Sequence, residues 1–353
     1  MNLKNLRRQI DAIDAKIAGL LNLRAKVTLS IAKLKKKSGK SIYSPDRERE
    51  VLQKITQGSK GPLSSAALQA IYREIMSGCL SLEKPLKVAY LGPEATFTHL
   101  AALKRFGSQV KYIASESIAD VFLEVERGTA DYGVVPIENS IEGAVTHTLD
   151  MFVDSDLKIC AQIILDVVHN LLANCAKNKI KRVYLNPQVF GQCRIWLQEN
   201  LAGVEKIEVS STTRAARIAR GEKDSACIAS LLAAKVYKLK VITPDIEDSP
   251  HNITRFLVIG KAGVGQTGHD KTSIIFSIKD RVGALHDMLI PFKKNGINLT
   301  KIESRPSKKK AWDYYFFVDL EGHQNDPCVK KALQELERKC TVLKSLGSYP
   351  IGE

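Results

Sequence analysis

Apolar residues fall at Leu3, Leu6, Ile10, Ile13, Ile17 and Leu20, then at Val27, Ile31 and Leu34, mostly in alternating steps of three and four. This is the stripe of an amphipathic helix, sustained over more than four heptads. A helix of about 32 residues runs about 48 Å, too long for the short helices that follow to cover. A second copy of the chain is therefore expected along the seam. Ser44-Pro45 reads as an N-cap with proline at the first helical position, and Gly58 ends that helix. A third helix is expected from near Ser64 to before Pro85, with Leu68, Ile71, Ile75, Cys79 and Leu82 inward. Residues 1–86 thus form an all-α unit.

From Lys87 the pattern changes. Residues 88–91 and 132–137 are short apolar strand runs, and strand and helix patterns alternate to about Gly260. That alternation is expected of parallel sheets, here over residues 87–262. Beyond the glycine-rich stretch 260–268, residues 270–350 read as strand 273–278, then a helix opened by Gly283-Ala284-Leu285-His286 and closed by Asn295-Gly296. Strands 299–304 and 314–320, helix 327–339 and strand 342–346 complete a ferredoxin-like βαββαβ order.

Composition narrows the classes. The chain has 353 residues and the balance of a globular protein, with no apolar run long enough for a membrane helix. The first residues run straight into the amphipathic pattern without a signal-peptide core. Seven scattered cysteines, with no Cys-x-x-Cys pair, read as buried thiols of a reduced cytoplasm. The seven histidines lack ligand spacing, so no metal and no cofactor is expected. The net charge of +15 raises nucleic acid as a partner, but ten of those charges lie in residues 1–86, and no nucleic-acid-binding signature accompanies them. Small polyanionic substrates account for part of the excess, and solvated helix faces for the rest.

Two kinds of place could carry chemistry. Arg24 breaks the apolar seam, and a guanidinium there costs several kcal/mol unless an anion pairs with it. Either it snorkels to the surface, or it lies in a pocket where Arg7, Lys35, Arg47, Glu48 and Glu83 converge, some from a partner chain. In the α/β region, polar clusters stand where strands end: Thr96-Phe97-Thr98, Glu138-Asn139-Ser140, Asn186-Pro187-Gln188, Ser211-Thr212-Thr213 and Thr254-Arg255-Phe256. Free N–H groups of helix starts and the helix dipole favour anions at such places.

Residues 1–86 resemble the all-helical chorismate mutase family, through Leu6-Arg7, Ile13-Asp14, Leu23-Arg24, Lys33-Leu34-Lys35 and Pro45-Asp46-Arg47-Glu48-Arg49. The resemblance implies an intertwined dimer in which Arg24 and the partner's Arg7 hold carboxylates. Lys35 would donate to the ether oxygen, and Arg47 and Glu48 would position the substrate hydroxyl. Glu83 stands where some members have Gln, and a carboxyl group donates a hydrogen bond only while protonated. Ser44 stands where many members have Asp.

Residues 87–262 resemble prephenate dehydratase, with two α/β lobes like those of a periplasmic binding protein and a site between them. By that resemblance Thr254 acts on the leaving hydroxyl, Arg255 binds a carboxylate and Phe256 packs behind them. Asn139, Ser140, Ser211 and Thr212 hold the substrate, with Thr96, Glu138 and Gln188 beside them. Asn186 and Ala95 replace a usual His and a usual Gly. Gly283, Ala284, Leu285 and His286, with Glu303, Ser304, Arg305 and Pro306, resemble the phenylalanine-binding motifs of ACT regulatory domains. The whole order is that of bifunctional chorismate mutase–prephenate dehydratases. It implies chorismate and prephenate as substrates, phenylalanine as effector, and a homodimer or higher oligomer, with no nucleic acid or membrane partner. An amino-acid-responsive binding protein without catalysis, and a helical unit kept only as a dimerisation arm, are the competing readings. Thr254 argues against the first; Arg24 with Lys35, Arg47 and Glu48 argues against the second.

Overall fold

The computed structural model describes residues 2–37, 44–83, 85–279, 281–307 and 314–351, without the side chains of residues 36, 37 and 83. The described chain forms two compact units, Met1–Lys87 with Arg105–Lys111, and Val88–Lys104 with Tyr112–Glu353.

The first unit is helical: α1 (Leu3–Lys37), α2 (Pro45–Gly58) and α3 (Ser65–Glu83). Proline at the first position and Asp46 and Glu48 in the first turn suit the start of α2. The Ser44 side chain makes no capping bond. The seam expected on α1 is present and lies open, with Ile10 56%, Ile13 53%, Leu20 66% and Leu34 67% exposed. On α3, Met76 and Cys79 are buried, whereas Ile71 and Leu82, expected inward, are 46% and 54% exposed. A single chain has too little helical surface to cover every apolar face of these helices.

The second unit opens with β1 (Lys87–Leu91), α4 (Phe97–Phe106), β2 (Lys111–Ser115), α5 (Ile118–Arg127), β3 (Tyr132–Asn139), β4 (Gly143–Ala144) and α6 (Thr146–Asp154). Next come β5 (Lys158–Asp166), β6 (Asn170–Ala173), β7 (Arg182–Leu185), α7 (Pro187–Gln192), α8 (Arg194–Asn200), β8 (Glu205–Glu208) and α9 (Thr212–Gly221). After these stand β9 (Ser225–Ala229), α10 (Leu231–Tyr237), β10 (Lys240–Thr243) and β11 (Ile253–Gly260). Two lobes result, with sheets ordered β2-β1-β3-β11-β5 and β10-β6-β9-β7-β8.

Both sheets are mixed, not parallel as the alternation suggested. β1 runs parallel to β3, but β11 returns from the second lobe and inserts antiparallel between β3 and β5. Likewise β6 lies antiparallel to β9 and β10. The insertion of β11 matters for the site. Its beginning, not its end, lies beside the carboxyl end of β3.

The chain closes with β12 (Asp270–Ser277), α11 (Ala284–Lys294), β13 (Leu299–Pro306), β14 (Tyr314–Glu321), α12 (Pro327–Glu337) and β15 (Val342–Pro350). This is the expected βαββαβ order, in an antiparallel sheet β13-β14-β12-β15. The sheet is not a separate bead. Ile275, Phe317, Leu346 and Tyr349 share one hydrophobic core with Val121, Phe122, Phe152 and Ile159 of the first lobe. Gly347 permits the approach: at φ +135, a Cβ there would lie 2.6 Å from the Ile159 carbonyl oxygen.

Candidate functional site

β3 and β11 are registered so that Thr254 pairs with Asn139 and Arg255 with Glu138. Successive side chains of a strand point to opposite faces, so the first pair shares one face and the second pair the other. Asn139 Nδ2 donates to Thr254 Oγ1 at 2.9 Å and to Asn252 Oδ1 at 2.8 Å. Its Oδ1 accepts from the Ile141 and Glu142 N–H groups at 2.9 and 3.0 Å, which fixes the amide's orientation. Because Thr254 Oγ1 accepts from Asn139, its own proton is left for another partner, and no acceptor for it stands among the described residues. Ser140 is occupied structurally. Its hydroxyl donates to the His251 carbonyl and accepts from Ile253 N, stitching the end of β3 to the start of β11.

The network crosses to the second lobe. Asn252 Nδ2 donates to Gln192 Oε1 at 3.0 Å, and His169 Nε2 lies 2.7 Å from the same oxygen. A carbonyl oxygen only accepts, so His169 carries its hydrogen on Nε2. Burial lowers the His169 pKa, and its Nδ1 is buried without a partner. The ring is therefore held neutral. Gln192 and Gln188 both donate to Glu142, at 3.2 and 2.8 Å, so the turn after β3 is clasped by α7. Gln192 and His169 were not legible as site residues, whereas Asn252 and Glu142 belong to polar stretches that the sequence singles out beside Thr254 and Ser140. Of the first two, only Gln192 left a trace, one helical turn after Gln188 on the same face.

The helix starts around this network are built as the polar clusters suggested. Ser211 caps α9 by accepting from Arg214 N, with half-buried Thr212 in its first turn. The next hydroxyl, Thr213 Oγ1, is buried with no partner. Thr96 caps α4, and its hydroxyl donates to the Leu91 carbonyl. Asn186, at the family's His position, caps α7 and donates to the Ser210 carbonyl, tying two of the clusters together. Ala95, at the family's Gly position, has φ +68, a left-handed conformation that favours glycine.

Two expected ligands stand elsewhere. Arg255 points to the opposite face of β11 from Thr254. It donates to Asp319 Oδ2 at 2.6 Å and to the Tyr349 hydroxyl at 2.8 Å. Glu138 lies on that face too, 3.0 Å from Lys301 Nζ. Burial alone would lower the Arg255 pKa, but Tyr349 and Asp319 outweigh it and raise it. The carboxylate-binding role expected of Arg255 does not fit this geometry, because the pleat turns it away. Phe256 follows a register shift and is buried.

In the helical unit, Arg24, Lys35, Ser44, Arg47 and Glu48 line one pocket of about 570 Å³, walled by Leu20, Val27, Ile31 and Met76. Arg24 is half-buried; its Nη1 lies 2.8 Å from Cys79 Sγ, and the Thr28 hydroxyl donates to its carbonyl. It lines a pocket and does not simply snorkel. Arg47 is paired with Glu50, and Glu48 with Arg105, which belongs to the same unit, at 3.2 Å. Arg7 lies exposed on α1, away from this pocket's lining. The Glu83 side chain is outside the described residues. Among the described residues no cluster of His, Cys, Asp or Glu could hold a metal, and no helix is long and apolar enough to cross a membrane.

In the C-terminal sheet Gly283, Ala284, Leu285 and His286 line a pocket of about 410 Å³ with Arg281, Tyr314 and Phe316. Glu303, Ser304, Arg305 and Pro306 lie on β13 and do not line it. Arg305 reaches Asp150 of α6 at 3.3 Å.

Family models match in the same order: Chorismate mutase type II over residues 6–84, Prephenate dehydratase over 88–264 and ACT domain over 272–338. The bifunctional chorismate mutase/prephenate dehydratase of Aquifex aeolicus is 52% identical over 99% of this chain and 98% of its own length. The chain belongs to the bifunctional chorismate mutase/prephenate dehydratase family. The Pseudomonas aeruginosa protein of that name is 46% identical over 99% of this chain and 97% of its own. Prephenate dehydratase from Arthrobacter aurescens, solved in complex with L-Phe, matches with a TM-score of 0.70 at 34% identity. It covers 75% of this chain and 90% of that one. Against the family pattern, the exchanges at Asn186 and Ala95 leave the Thr254–Asn139 pair intact.

Proposed function

We propose that the chain converts chorismate to prephenate in the helical unit and prephenate to phenylpyruvate in the two-lobed unit, with phenylalanine as feedback inhibitor. The first reaction is a pericyclic rearrangement and needs no nucleophile. Arg24 and the partner copy's Arg7 hold the substrate's carboxylates, Lys35 donates to the ether oxygen as that bond breaks, and Arg47 and Glu48 orient the hydroxyl. Glu83, while protonated, adds a second donor. Preorganised cations of this kind act where charge develops and need no reorganisation during the reaction. The open seam of α1 supports a homodimer, since leaving such a stripe in water forfeits about 25 cal/mol per Å² of apolar surface.

In the second reaction the ring loses its carboxylate as carbon dioxide and its hydroxyl together, and aromatisation drives the step. One observation carries the assignment: Asn139 donates to Thr254 Oγ1, which directs the threonine's proton outward. That proton is given as a hydrogen bond to the departing hydroxyl. A threonine is too weak an acid for full transfer, so the group polarises the leaving oxygen. The starts of α4 and α9, with Thr96, Ser211 and Thr212, receive carboxylate oxygens, and Gln188 and Ser140 border them. Phenylalanine is read by the pocket at Gly283–His286, with the second motif, Glu303–Pro306, on β13 outside that pocket's lining, in a cytoplasmic enzyme without a metal or cofactor.

The test is one assay on the purified chain. Chorismate should yield phenylpyruvate through prephenate, and added phenylalanine should slow the second step. Binding of phenylalanine with no turnover of either substrate would instead favour a non-catalytic sensor.

A further inference from the structure

On the face of the first sheet opposite Thr254, four charged side chains meet. Arg255 bonds Asp319, Glu138 lies 3.0 Å from Lys301 Nζ, and the Arg255 guanidinium is 3.8 Å from Glu138. Ser273 donates to Asp319 Oδ1 at 2.5 Å and lies 2.7 Å from the Tyr349 hydroxyl, which accepts from Arg255. The side chains of Arg255, Lys301 and Asp319 are each 11% exposed. Half-buried Lys271 of β12 also feels Arg255, Asp319 and Glu138, together with Glu321, so the charged group extends beyond these four.

Such a cluster is a poor way to gain stability, because desolvation offsets most of the attraction between its charges. Its placement suggests another use. Glu138 and Arg255 belong to dehydratase strands, each one residue from a group of the proposed site, Asn139 and Thr254. Lys301, Asp319 and Tyr349 belong to the C-terminal sheet. Lys301 also shares β13 with Glu303–Pro306, and Arg305 on that strand grips Asp150 of α6, the helix just beyond the turn after β3. One strand thus touches the site's scaffold at two points and carries half of the expected effector motif.

We infer that Lys301, Asp319 and Tyr349 are positioning residues for the dehydratase reaction. They fix Glu138 and Arg255, and so hold the backbone that sets the Asn139–Thr254 hydrogen bond. A displacement of β13 is felt at Thr254 through the same contacts. This second clause rests on the reading of phenylalanine as the effector.

The experiment uses the full chain with Tyr349→Phe, which removes one hydroxyl, and with Lys301→Met, with Lys301→Arg as the conservative variant. Thermal unfolding of each variant reports on intact folding of the second unit, which mutase turnover in the helical unit would not. Dehydratase kcat should fall about tenfold or more in Tyr349→Phe and Lys301→Met, because small misplacements of a reacting group are costly. KM for prephenate should stay within about twofold, since the substrate contacts themselves are kept. Lys301→Arg should recover most of the kcat. L-Phenylalanine should still bind Lys301→Met by calorimetry while inhibiting it less completely at saturation. An unchanged kcat in Tyr349→Phe, or a rise in KM alone, would overturn the positioning role. A Lys301→Met chain inhibited as fully as the wild type would overturn the coupling. If the wild-type chain binds no phenylalanine, the effector reading falls, while the kcat results still decide the positioning role.

Discussion

In the proposed reading, the helical pocket and the Thr254 network meet anionic substrates with opposite means. Around Arg24 the groups are charged: Arg24, Lys35 and Arg47 converge on one pocket, with Glu48 beside them. Around Thr254 they are mostly neutral: a hydroxyl, three amides and an imidazole held uncharged by burial, with the Glu142 carboxylate bonded to the network's glutamines. A rearrangement that only shifts charge within its substrate is served by fixed cations, which need not move a proton. An elimination needs a donor aimed at one oxygen, and aim comes from saturating every other hydrogen-bonding direction of the donor. The pocket also has an open wall, α1, whereas the network closes within one chain.

The largest expected effect separates the two. Thr254→Ala should lower dehydratase kcat by roughly 10²–10⁴, the usual worth of such a donor, without changing mutase turnover. Steady-state rates on prephenate and on chorismate check both halves. Nearly as large, Arg24→Ala should lower mutase kcat/KM by roughly 10²–10³, while added prephenate is still dehydrated normally. Mutase turnover at the wild-type rate would mean that Arg24 only borders the pocket.

A third expectation concerns acid. The His169 pKa is depressed from 6.5 by burial, so the unfolded chain takes up a proton there before the folded chain does. Stability is therefore full above about pH 6.5 and declines as pH falls below it. His99, also buried with a depressed pKa, contributes in the same direction. Thermal unfolding followed from pH 8 to 5 should show the decline, and His169→Gln should make it shallower. A Tm independent of pH across that range would remove the neutral histidine from the account.

The smallest effect is at Ala95. A left-handed conformation costs a non-glycine residue about 1–2 kcal/mol, and glycine gives part of that back through its greater unfolded entropy. Ala95→Gly should therefore raise Tm by a few degrees for a gain of about 0.5–1 kcal/mol. A fall in Tm would show that the Ala95 methyl, buried against its neighbours, contributes more than the backbone loses.

What could be read in advance follows from the range of each interaction. The period of α1, the Ser44-Pro45 start of α2 and the Ser211 cap of α9 are local signals, and each element stands where its residues put it. Asn139 and Thr254 were both legible as polar residues at strand ends. That they are cross-strand partners was not, because the pairing joins residues 115 apart in the chain. The same distance hid the direction of Arg255. A strand's alternation tells which neighbours share a face, but not which face a later sheet will cover. The parallel-sheet expectation failed for the same reason, since nothing local to β11 says that it returns to the first lobe. His169 carried no signal at all, because a buried imidazole that orients a glutamine needs no spacing motif.

The division of labour between the two sites is tested most directly by giving chorismate to Thr254→Ala at neutral pH and following all three compounds in time. Chorismate should disappear at the wild-type rate, prephenate should accumulate to nearly the full amount, and phenylpyruvate should stay near background. Phenylpyruvate formed at the wild-type rate, or a loss of chorismate consumption in a folded variant, would contradict the account.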